Sequence, residues 1–321
     1  MKGINLIIAL LAAAVMSVSC NDAEPVFGST PTERIQEELE KYQFALTARE
    51  TWVMEYFPDS DLSYGGWIFV MQFQNNGKVR MWFEGSTFIG ENPVTESEYA
   101  VEHGTGPMLK FRTHNDYLHW FSFAGGPNGS GYNAFEGDFE FSIMSVSSAY
   151  DEITLKGIRT GNTIRMYPLP ADYTPEGFVQ TVRQEQMNLS SVRMNLTANG
   201  QKVGVLTRNN VTTVTSFDRY ASSKVWTLTY TYQQPLYDAG VPVLDESGNQ
   251  ILETVTVEDR LSAICLPGRI MKFYKPYEFK GDVIPYLMGE TMQTFQWSLG
   301  LMSPMDCFVC TDSFMEIKLE Q

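Results

Sequence analysis

The chain has 321 residues, of which 43% are hydrophobic and 13% are aromatic. This composition excludes a largely disordered chain, because it supplies enough apolar surface for a packed core. The formal net charge of −15 argues against nucleic-acid binding, which needs a basic surface. It also argues against adhesion of the protein surface to anionic lipid.

The N-terminus has the pattern of a secretory signal that ends in a cysteine. A lysine at position 2 is followed by an apolar stretch over residues 4–18, and small or hydroxylated residues lead to Cys20. The apolar stretch is shorter than the about 20 residues of a membrane-spanning helix. We therefore predict a lipoprotein signal peptide over residues 1–19, lipidation of Cys20 and a tether over residues 20–30. The alternative is an ordinary secretory signal in which Cys20 is incidental.

The residues after Cys20 predict where the lipid anchor holds the chain. Position 21 is Asn21 rather than the aspartate that commonly retains lipoproteins in the inner membrane, and Asp22 and Glu24 follow closely. This acidic pattern favours attachment to the outer membrane with exposure at the cell surface. An anchor of several acyl chains gives stable attachment, whereas a single chain does not.

An N-terminal domain is predicted over residues 31–170, and it begins with a helix. Thr30, Pro31 and Glu33 have the pattern of a helix cap and first turn, and apolar residues at spacings of three and four continue the helix to about Ala48. Short strands and turn signals then alternate, which favours an antiparallel meander that forms a barrel or a sandwich and is distantly lipocalin-like. The nine predicted strands are 52–57, 67–73, 78–83, 98–101, 108–113, 117–123, 138–146, 152–157 and 163–167.

A second helix signal, Thr174-Pro175-Glu176, begins a C-terminal domain that is predicted over residues 171–321. Its helix is followed by a second series of strands. The eight predicted strands are 191–198, 202–206, 212–217, 225–232, 251–257, 270–274, 294–298 and 314–319. The fold class is therefore mainly β, with two antiparallel β domains that are each preceded by an α-helix.

Several segments together resemble an uncharacterised family of Bacteroidetes outer-membrane lipoproteins, known only as a domain of unknown function. The resemblance is strongest over residues 30–170. Its segments are 32–48, 64–67, 137–141, 151–157 and 160–169. Members of that family tend to lie beside nutrient-import systems of the starch-utilisation type, which implies an accessory role in capturing or handling a nutrient. The resemblance assigns no site, and none of these segments is catalytic.

The common signatures of catalysis are missing from the sequence. It contains no GxSxG, HExxH, P-loop or dinucleotide fingerprint. The cysteines Cys265, Cys307 and Cys310 could include a disulfide, but no second CxxC completes a zinc set. His114 and His119 flank a predicted turn, and their spacing matches no common metal-ligand motif. We therefore predict no catalytic residue, no metal and no cofactor.

The clearest binding signal is a set of basic and aromatic residues on polar strand faces of the N-terminal domain. Side chains alternate between the two faces of a strand, and this phase puts Trp82 among charges. Arginine binds carboxylates or sulfates through two parallel hydrogen bonds, and an aromatic ring stacks on the apolar face of a sugar. The alternative is a set of ordinary solvent-facing residues, with Trp82 covered by a loop or a helix. The predicted ligand-binding residues are Arg80, Trp82, Lys110, Arg112, Arg165 and Tyr167.

Taken together, the sequence predicts a non-catalytic surface lipoprotein that binds a nutrient ligand, either a glycan or a peptide, or that docks on an outer-membrane importer complex. Two alternatives stay open. One is a carboxylate-based hydrolase with a site between the domains, because the 38 acidic residues offer many pairs. The other is a purely structural protein-interaction module. The expected partners are the membrane, through the lipid anchor, a glycan or peptide, and importer components, but no nucleic acid.

Overall fold

The fold is described from a computed structural model of the chain. The described residues are 28–90, 92–122, 135–189, 192–209, 216–281, 290–298 and 307–320. The predicted signal peptide and Cys20 lie outside them. No helix in these ranges combines the length and the hydropathy that crossing a membrane requires. The chain divides into two compact units, residues 1–41 and residues 42–321, and all of the strands described below belong to the second unit.

The first helix, α1, spans Pro31–Thr47. It begins with the capping box that the sequence predicts. The Thr30 N–H donates to Glu33 Oε2 at 2.7 Å, and the Glu33 N–H donates to Thr30 Oγ1 at 3.3 Å. Near the other end of α1, Leu46 is buried and its carbonyl accepts a hydrogen bond from the Trp52 indole at 2.8 Å.

The first series of strands is an antiparallel meander that closes into an eight-stranded barrel. Each strand pairs with its neighbours in sequence, and the first strand also pairs with the last. A short helix, α2, spans Ser86–Ile89 between the third and fourth strands. The strands are β1 Trp52–Tyr56, β2 Trp67–Phe73, β3 Lys78–Phe83, β4 Thr95–His103, β5 Pro107–Phe111, β6 Glu140–Val146, β7 Ile153–Gly157 and β8 Thr163–Pro168.

Side chains fill the interior of this first barrel. Trp52, Trp67, Phe69 and Phe83 are all fully buried in one cluster, and the rings of Phe69 and Phe83 stack with centroids 4.6 Å apart. Phe121 enters the same cluster and contacts Phe83 edge-to-face. Small barrels of this strand number have an interior just wide enough for side chains. The aromatic residues therefore make the interior of the barrel a packed core.

The prediction of a strand at residues 117–123 is wrong, because the described part of this segment, residues 117–122, forms a turn. A single 3-10 turn spans His119–Phe121. The Asn115 side-chain oxygen accepts hydrogen bonds from the N–H groups of Tyr117 and Leu118, both at 3.1 Å. Asparagine favours turns by such local bonds, which compete with pairing in a sheet. The turn places Phe121 in the barrel core.

The second series of strands forms another closed, eight-stranded barrel, so two barrels confirm the predicted fold class. The helix α3, Pro175–Asn188, precedes it and is capped by Thr174, whose Oγ1 accepts a hydrogen bond from the Gly177 N–H at 3.1 Å. Two short strands, β12 Tyr237–Asp238 and β13 Val241–Pro242, form a separate hairpin. The barrel strands are β9 Arg193–Ala198, β10 Gln201–Arg208, β11 Val225–Pro235, β14 Leu252–Leu266, β15 Ile270–Glu278, β16 Thr291–Ser298, β17 Cys307–Cys310 and β18 Ile317–Glu320.

Several parts of the second barrel differ from the sequence-based prediction, and β14 and β15 extend well beyond their predicted ends at residues 257 and 274. The end of the strand predicted at 212–217 lies in a helix, α4, which spans Ser216–Ser222, and residues 210–215 lie outside the described residues. The strand β17 was not predicted, because its four residues are too few to show alternation. Cys307 and Cys310 lie on opposite faces of β17, and they are not joined by a disulfide.

Part of the outer face of the first barrel, on β1, β2 and β3, is covered by α3 and by the second barrel. An apolar layer joins side chains from β1, β2 and β3 to α3 and to β14. Its buried members are Val53, Phe57, Ile68, Val70, Trp82, Phe178, Val179, Val182 and Ile264. This layer explains why almost every residue of β1 and β2 is buried, since both faces of these strands are packed. We call it the inter-barrel layer.

Two glycines allow the barrels to come close together. A side chain at Gly65 would overlap with the Lys224 side chain, and one at Gly66 would overlap with Ile264 and Phe57. The Gly66 N–H also donates to the Ala263 carbonyl of β14 at 3.1 Å. These glycines belong to the segment 64–67 that carries part of the family resemblance, so that segment has a structural role at the contact between the barrels.

A fully buried ion pair joins the barrels beside this contact. Glu84, directly after β3, and Lys224, directly before β11, both have no exposed side-chain surface, and Lys224 Nζ lies 3.0 Å from Glu84 Oε2. The same carboxylate accepts hydrogen bonds from the Ile68 N–H at 2.7 Å and from the Tyr220 hydroxyl at 2.5 Å. A buried ion pair is tolerated only when such additional bonds satisfy it.

The inter-barrel layer predicts the effect of removing Trp82. Only 7% of this residue is exposed, so Trp82→Ala should leave a cavity and lower the free energy of unfolding by about 3–5 kcal/mol. Urea unfolding of the chain without residues 1–19 measures this loss. Met144→Ala is the matched control, because Met144 is 57% exposed and should change stability little. A Trp82→Ala protein as stable as the wild type would show that the ring is not part of the packed layer.

Candidate functional site

A cleft with a volume of about 200 Å³ lies beside the inter-barrel layer. Both barrels contribute to it, since β1 and β8 of the first barrel meet β15 and β16 of the second there. The described lining residues are Glu55, Phe57, Thr163, Arg165, Lys272, Tyr274, Lys275, Pro276 and Gln293. We call this cleft the basic cleft, because three of these side chains are cationic and one is a carboxylate.

Aromatic rings and a hydrogen bond between the barrels form one wall of the basic cleft. The rings of Phe57 and Tyr274 are in contact, with centroids 4.7 Å apart and planes tilted by 58°. The Thr163 N–H donates to the Tyr274 hydroxyl at 2.8 Å. On the second barrel, the Gln293 amide donates to the Phe273 carbonyl at 3.0 Å. Because the Tyr274 oxygen accepts the hydrogen bond from Thr163, the Tyr274 hydroxyl proton can be donated to another group.

One of the three cations is neutralised by an ion pair that also spans the barrels. Lys272 Nζ lies 2.8 Å from Glu55 Oε1 and 2.7 Å from Oε2. The exposed fractions of the two side chains are 16% and 7%, so water screens the pair only partly. This geometry holds β15 against β1 and also fixes the only carboxylate among the described lining residues.

The other two cations are exposed and available. Arg165 on β8 and Lys275 on β15 are both solvent-exposed. Neither side chain forms a hydrogen bond or an ion pair with any residue in the described part of the chain. Guanidinium and ammonium groups of this kind bind carboxylate, sulfate or phosphate oxygens. The cleft can therefore bind an anion, although the whole chain has a net charge of −15.

Arg165 and Tyr167, two of the predicted ligand-binding residues, lie on the outer face of β8. Arg165 lines the basic cleft, whereas Tyr167 is half-buried at the edge of the inter-barrel layer. Burial raises the pKa of Tyr167 well above its ordinary value, and the charge of Glu55 adds to this effect. Tyr167 thus supports the wall beside the cleft and stays uncharged.

Arg80 and Trp82 lie at a different place on the first barrel. The Trp82 ring is packed in the inter-barrel layer, where Val179 of α3 is among its members. The Arg80 guanidinium lies 5.0 Å from the centre of this ring and donates to Gln72 Oε1 at 3.5 Å. Trp82 therefore does not present an open face to a ligand in this structure. The helix α3 covers the Trp82 ring.

Lys110 and Arg112 form a third location, around β5. Lys110 Nζ lies 3.6 Å from both Glu102 Oε2 and Glu140 Oε1. The Arg112 Nε donates to Glu102 Oε1 at 3.0 Å. β4 separates β5 from β3, while β6 and β7 separate it from β8. The structure therefore does not bring the six predicted residues together into one patch.

Sequence reasoning missed the half of the cleft that the second barrel supplies. On β15, Met271 and Phe273 are buried, whereas Lys272 and Tyr274 are half-buried on the other face. The phase analysis that found Arg165 would have found these two residues had it been applied to the second domain. Lys275 follows them, where the pairing of β15 with β16 becomes irregular.

The two histidines that flank the predicted turn, His114 and His119, lie in a hydrogen-bonded turn. His114 Nε2 lies 3.1 Å from Asp116 Oδ1, and His119 Nδ1 accepts a hydrogen bond from the Asn115 N–H at 3.1 Å. Burial lowers the pKa of His119, and the charge of His114 lowers it further. No group of three or more His, Cys, Asp or Glu residues in the described ranges is arranged to hold a metal ion.

Comparison with protein families gives one match. The model of a domain of unknown function, DUF4302, matches residues 23–288 of the chain. This segment includes every described lining residue of the basic cleft except Gln293. No significant match was found among curated proteins or among solved structures.

Proposed function

The chain belongs to the DUF4302 family, a family of unknown function, and we propose that it is a non-catalytic protein that binds an acidic glycan in the basic cleft. The observation that carries this proposal is the pair of exposed cations, Arg165 and Lys275, that have no partner among the described residues. They come from different barrels and line one cleft. A carboxylate or sulfate group would supply the missing partner.

The aromatic wall favours a glycan over a peptide. Sugar rings have apolar faces that pack against aromatic side chains, and the half-buried Tyr274 lies beside the cations in the same cleft, with the buried Phe57 ring packed against it. The volume of about 200 Å³ is smaller than the roughly 300–1,000 Å³ of sites that enclose a drug-sized ligand. The cleft therefore fits one charged unit of a longer chain, with the rest of the glycan in solvent.

Binding is favoured over hydrolysis because the described lining of the cleft contains a single carboxylate. A glycosidase of the common type places two carboxyl groups on either side of the bond that it cleaves. Among the described lining residues, Glu55 is the only acid, and Lys272 holds both of its oxygens. An acidic glycan would also be repelled by a second free carboxylate. These features support a role in capture.

The binding proposal is tested by titration calorimetry with defined oligosaccharides. We expect trigalacturonate to bind the chain without its signal peptide, and neutral maltotriose not to bind. Arg165→Gln combined with Lys275→Gln should weaken the binding at least about tenfold, because each charge-assisted hydrogen bond contributes about 1.5–3 kcal/mol. Lys202→Gln is the control, since Lys202 is exposed and does not line the cleft.

Two results would contradict the binding proposal. Equal affinity for trigalacturonate and maltotriose would show that the cations do not select the ligand. Unchanged affinity of the Arg165/Lys275 variant would show that binding occurs elsewhere. Hexaglutamate serves as the peptide probe, and if it alone binds through Arg165 and Lys275, the ligand class is an acidic peptide and the glycan proposal fails.

The location of the protein is a further part of this proposal. We propose a Bacteroidetes lipoprotein that is anchored through Cys20 in the outer membrane, faces outward and works beside a nutrient importer of the starch-utilisation type. The signal pattern before Cys20, the acidic residues Asp22 and Glu24 after it, and the family resemblance support this location. Capture of a glycan at the cell surface is consistent with it.

The anchor is tested by metabolic labelling with an alkyne fatty acid in the producing cell. We expect the wild-type protein to incorporate the label and Cys20→Ala to lose it, because the thiol of Cys20 is the predicted lipidation site. Cys265→Ala is the control, since Cys265 is buried in the second barrel. Equal labelling of the wild type and Cys20→Ala would contradict the anchor.

A further inference from the structure

The second barrel carries a two-stranded extension that is independent of the basic cleft. β11 pairs with β10 only as far as Tyr230, and from Thr231 to Pro235 the described pairing is with β14 alone. β14 in turn pairs with β15 only from Ala263 onward. Residues 231–256, which we call the arm, therefore form a ribbon that extends beyond the paired barrel strands, and its edges pair with no strand outside the arm in the described part of the chain.

Backbone hydrogen bonds hold the tip of the arm in one shape. The Leu236 N–H donates to the Ile251 carbonyl at 2.8 Å, and the Ile251 N–H donates to the Val243 carbonyl at 2.8 Å. In the turn over residues 245–249, Asp245 Oδ1 accepts hydrogen bonds from the N–H groups of Ser247 at 2.9 Å and Asn249 at 2.8 Å. The tip is thus an ordered surface, and binding a partner would cost little conformational entropy.

Exposed apolar side chains are concentrated at the tip of the arm, between residues 237 and 252. Five of the eleven large hydrophobic residues that are exposed in the described ranges lie on the arm. Proteins that stay monomeric usually expose such residues singly, whereas a concentration of them marks an interaction site. The five are Tyr237 at 55% exposed, Val241 at 64%, Leu244 at 55%, Ile251 at 37% and Leu252 at 56%.

The charge of the arm limits what can cover this apolar surface. Residues 231–256 contain four acidic residues, Asp238, Asp245, Glu246 and Glu253, and no lysine or arginine. A second copy of the arm would bring like charges together, and an anionic lipid surface would be repelled in the same way. A protein surface with an apolar groove and a basic rim complements both the side chains and the charge.

We propose that the arm is a docking element for a different protein, whose binding surface is an apolar groove bordered by lysine or arginine. Tyr237 is the natural central contact, because tyrosine is enriched among the residues that dominate binding energy. The acidic residues around it would guide the encounter, so the association rate should fall as salt is added.

The proposal is tested with a photo-crosslinking amino acid in the full-length protein in its producing cell. We expect Leu244 replaced by this amino acid to form one adduct with a different protein, and the same replacement at Met144, which is equally exposed on the first barrel, to form none. The adduct partner is identified by mass spectrometry, purified and used as the probe in binding measurements.

Affinity measurements with the purified partner show whether the adduct reflects specific binding through the arm or only the nearness of two proteins in the cell. We expect Tyr237→Ser with Leu252→Ser to weaken binding at least tenfold. Asp238→Asn with Glu246→Gln should lower the association rate and reduce its dependence on salt. Thermal unfolding checks that these exposed substitutions leave the fold intact. Adducts with lipid, adducts with a second copy of the chain, no adduct beyond the Met144 control, or binding insensitive to both variants would each overturn the proposal.

Discussion

The ion pair between Glu84 and Lys224 is the interaction on which the arrangement of the two barrels depends. Both charges are fully buried, and the carboxylate is also bound by the Tyr220 hydroxyl and the Ile68 N–H. Burial of two charges has a large desolvation cost, so the pair adds less to stability than an apolar contact of the same size. Its effect is on alignment, because a packing that separated the two groups would either leave a charge buried without its partner or require that charge to return to water.

The basic cleft is a consequence of that alignment. Its two exposed cations belong to different barrels, so their separation is set by the inter-barrel layer and by the bonds that cross it. The Lys272–Glu55 pair and the hydrogen bond from Thr163 to Tyr274 hold the same strands at the cleft itself. Side chains pack the described interior of the first barrel, so the proposed ligand would bind in the basic cleft outside it.

The sequence predicts the individual strands well because alternation is a local property. β2 and β3 have the predicted ends, and the two predicted helices, α1 and α3, begin at the predicted caps. Alternation cannot show what covers each face of a strand. The same alternating pattern places Trp82 under α3 and Arg165 in a cleft, and the sequence alone does not distinguish the two cases. It also cannot pair residues that are 217 positions apart, as Glu55 and Lys272 are. The cleft therefore emerges only from the packing of the barrels.

Differential scanning calorimetry tests most directly the claim that the buried pair joins the barrels into one structural body. We expect a single unfolding transition for the wild-type chain without residues 1–19. Lys224→Met should lower the free energy of unfolding by about 3–5 kcal/mol, because it leaves Glu84 buried without its cation. Lys202→Met, at an exposed position, should change little. Two separate transitions in the wild type, with the barrels unfolding independently, would contradict the account.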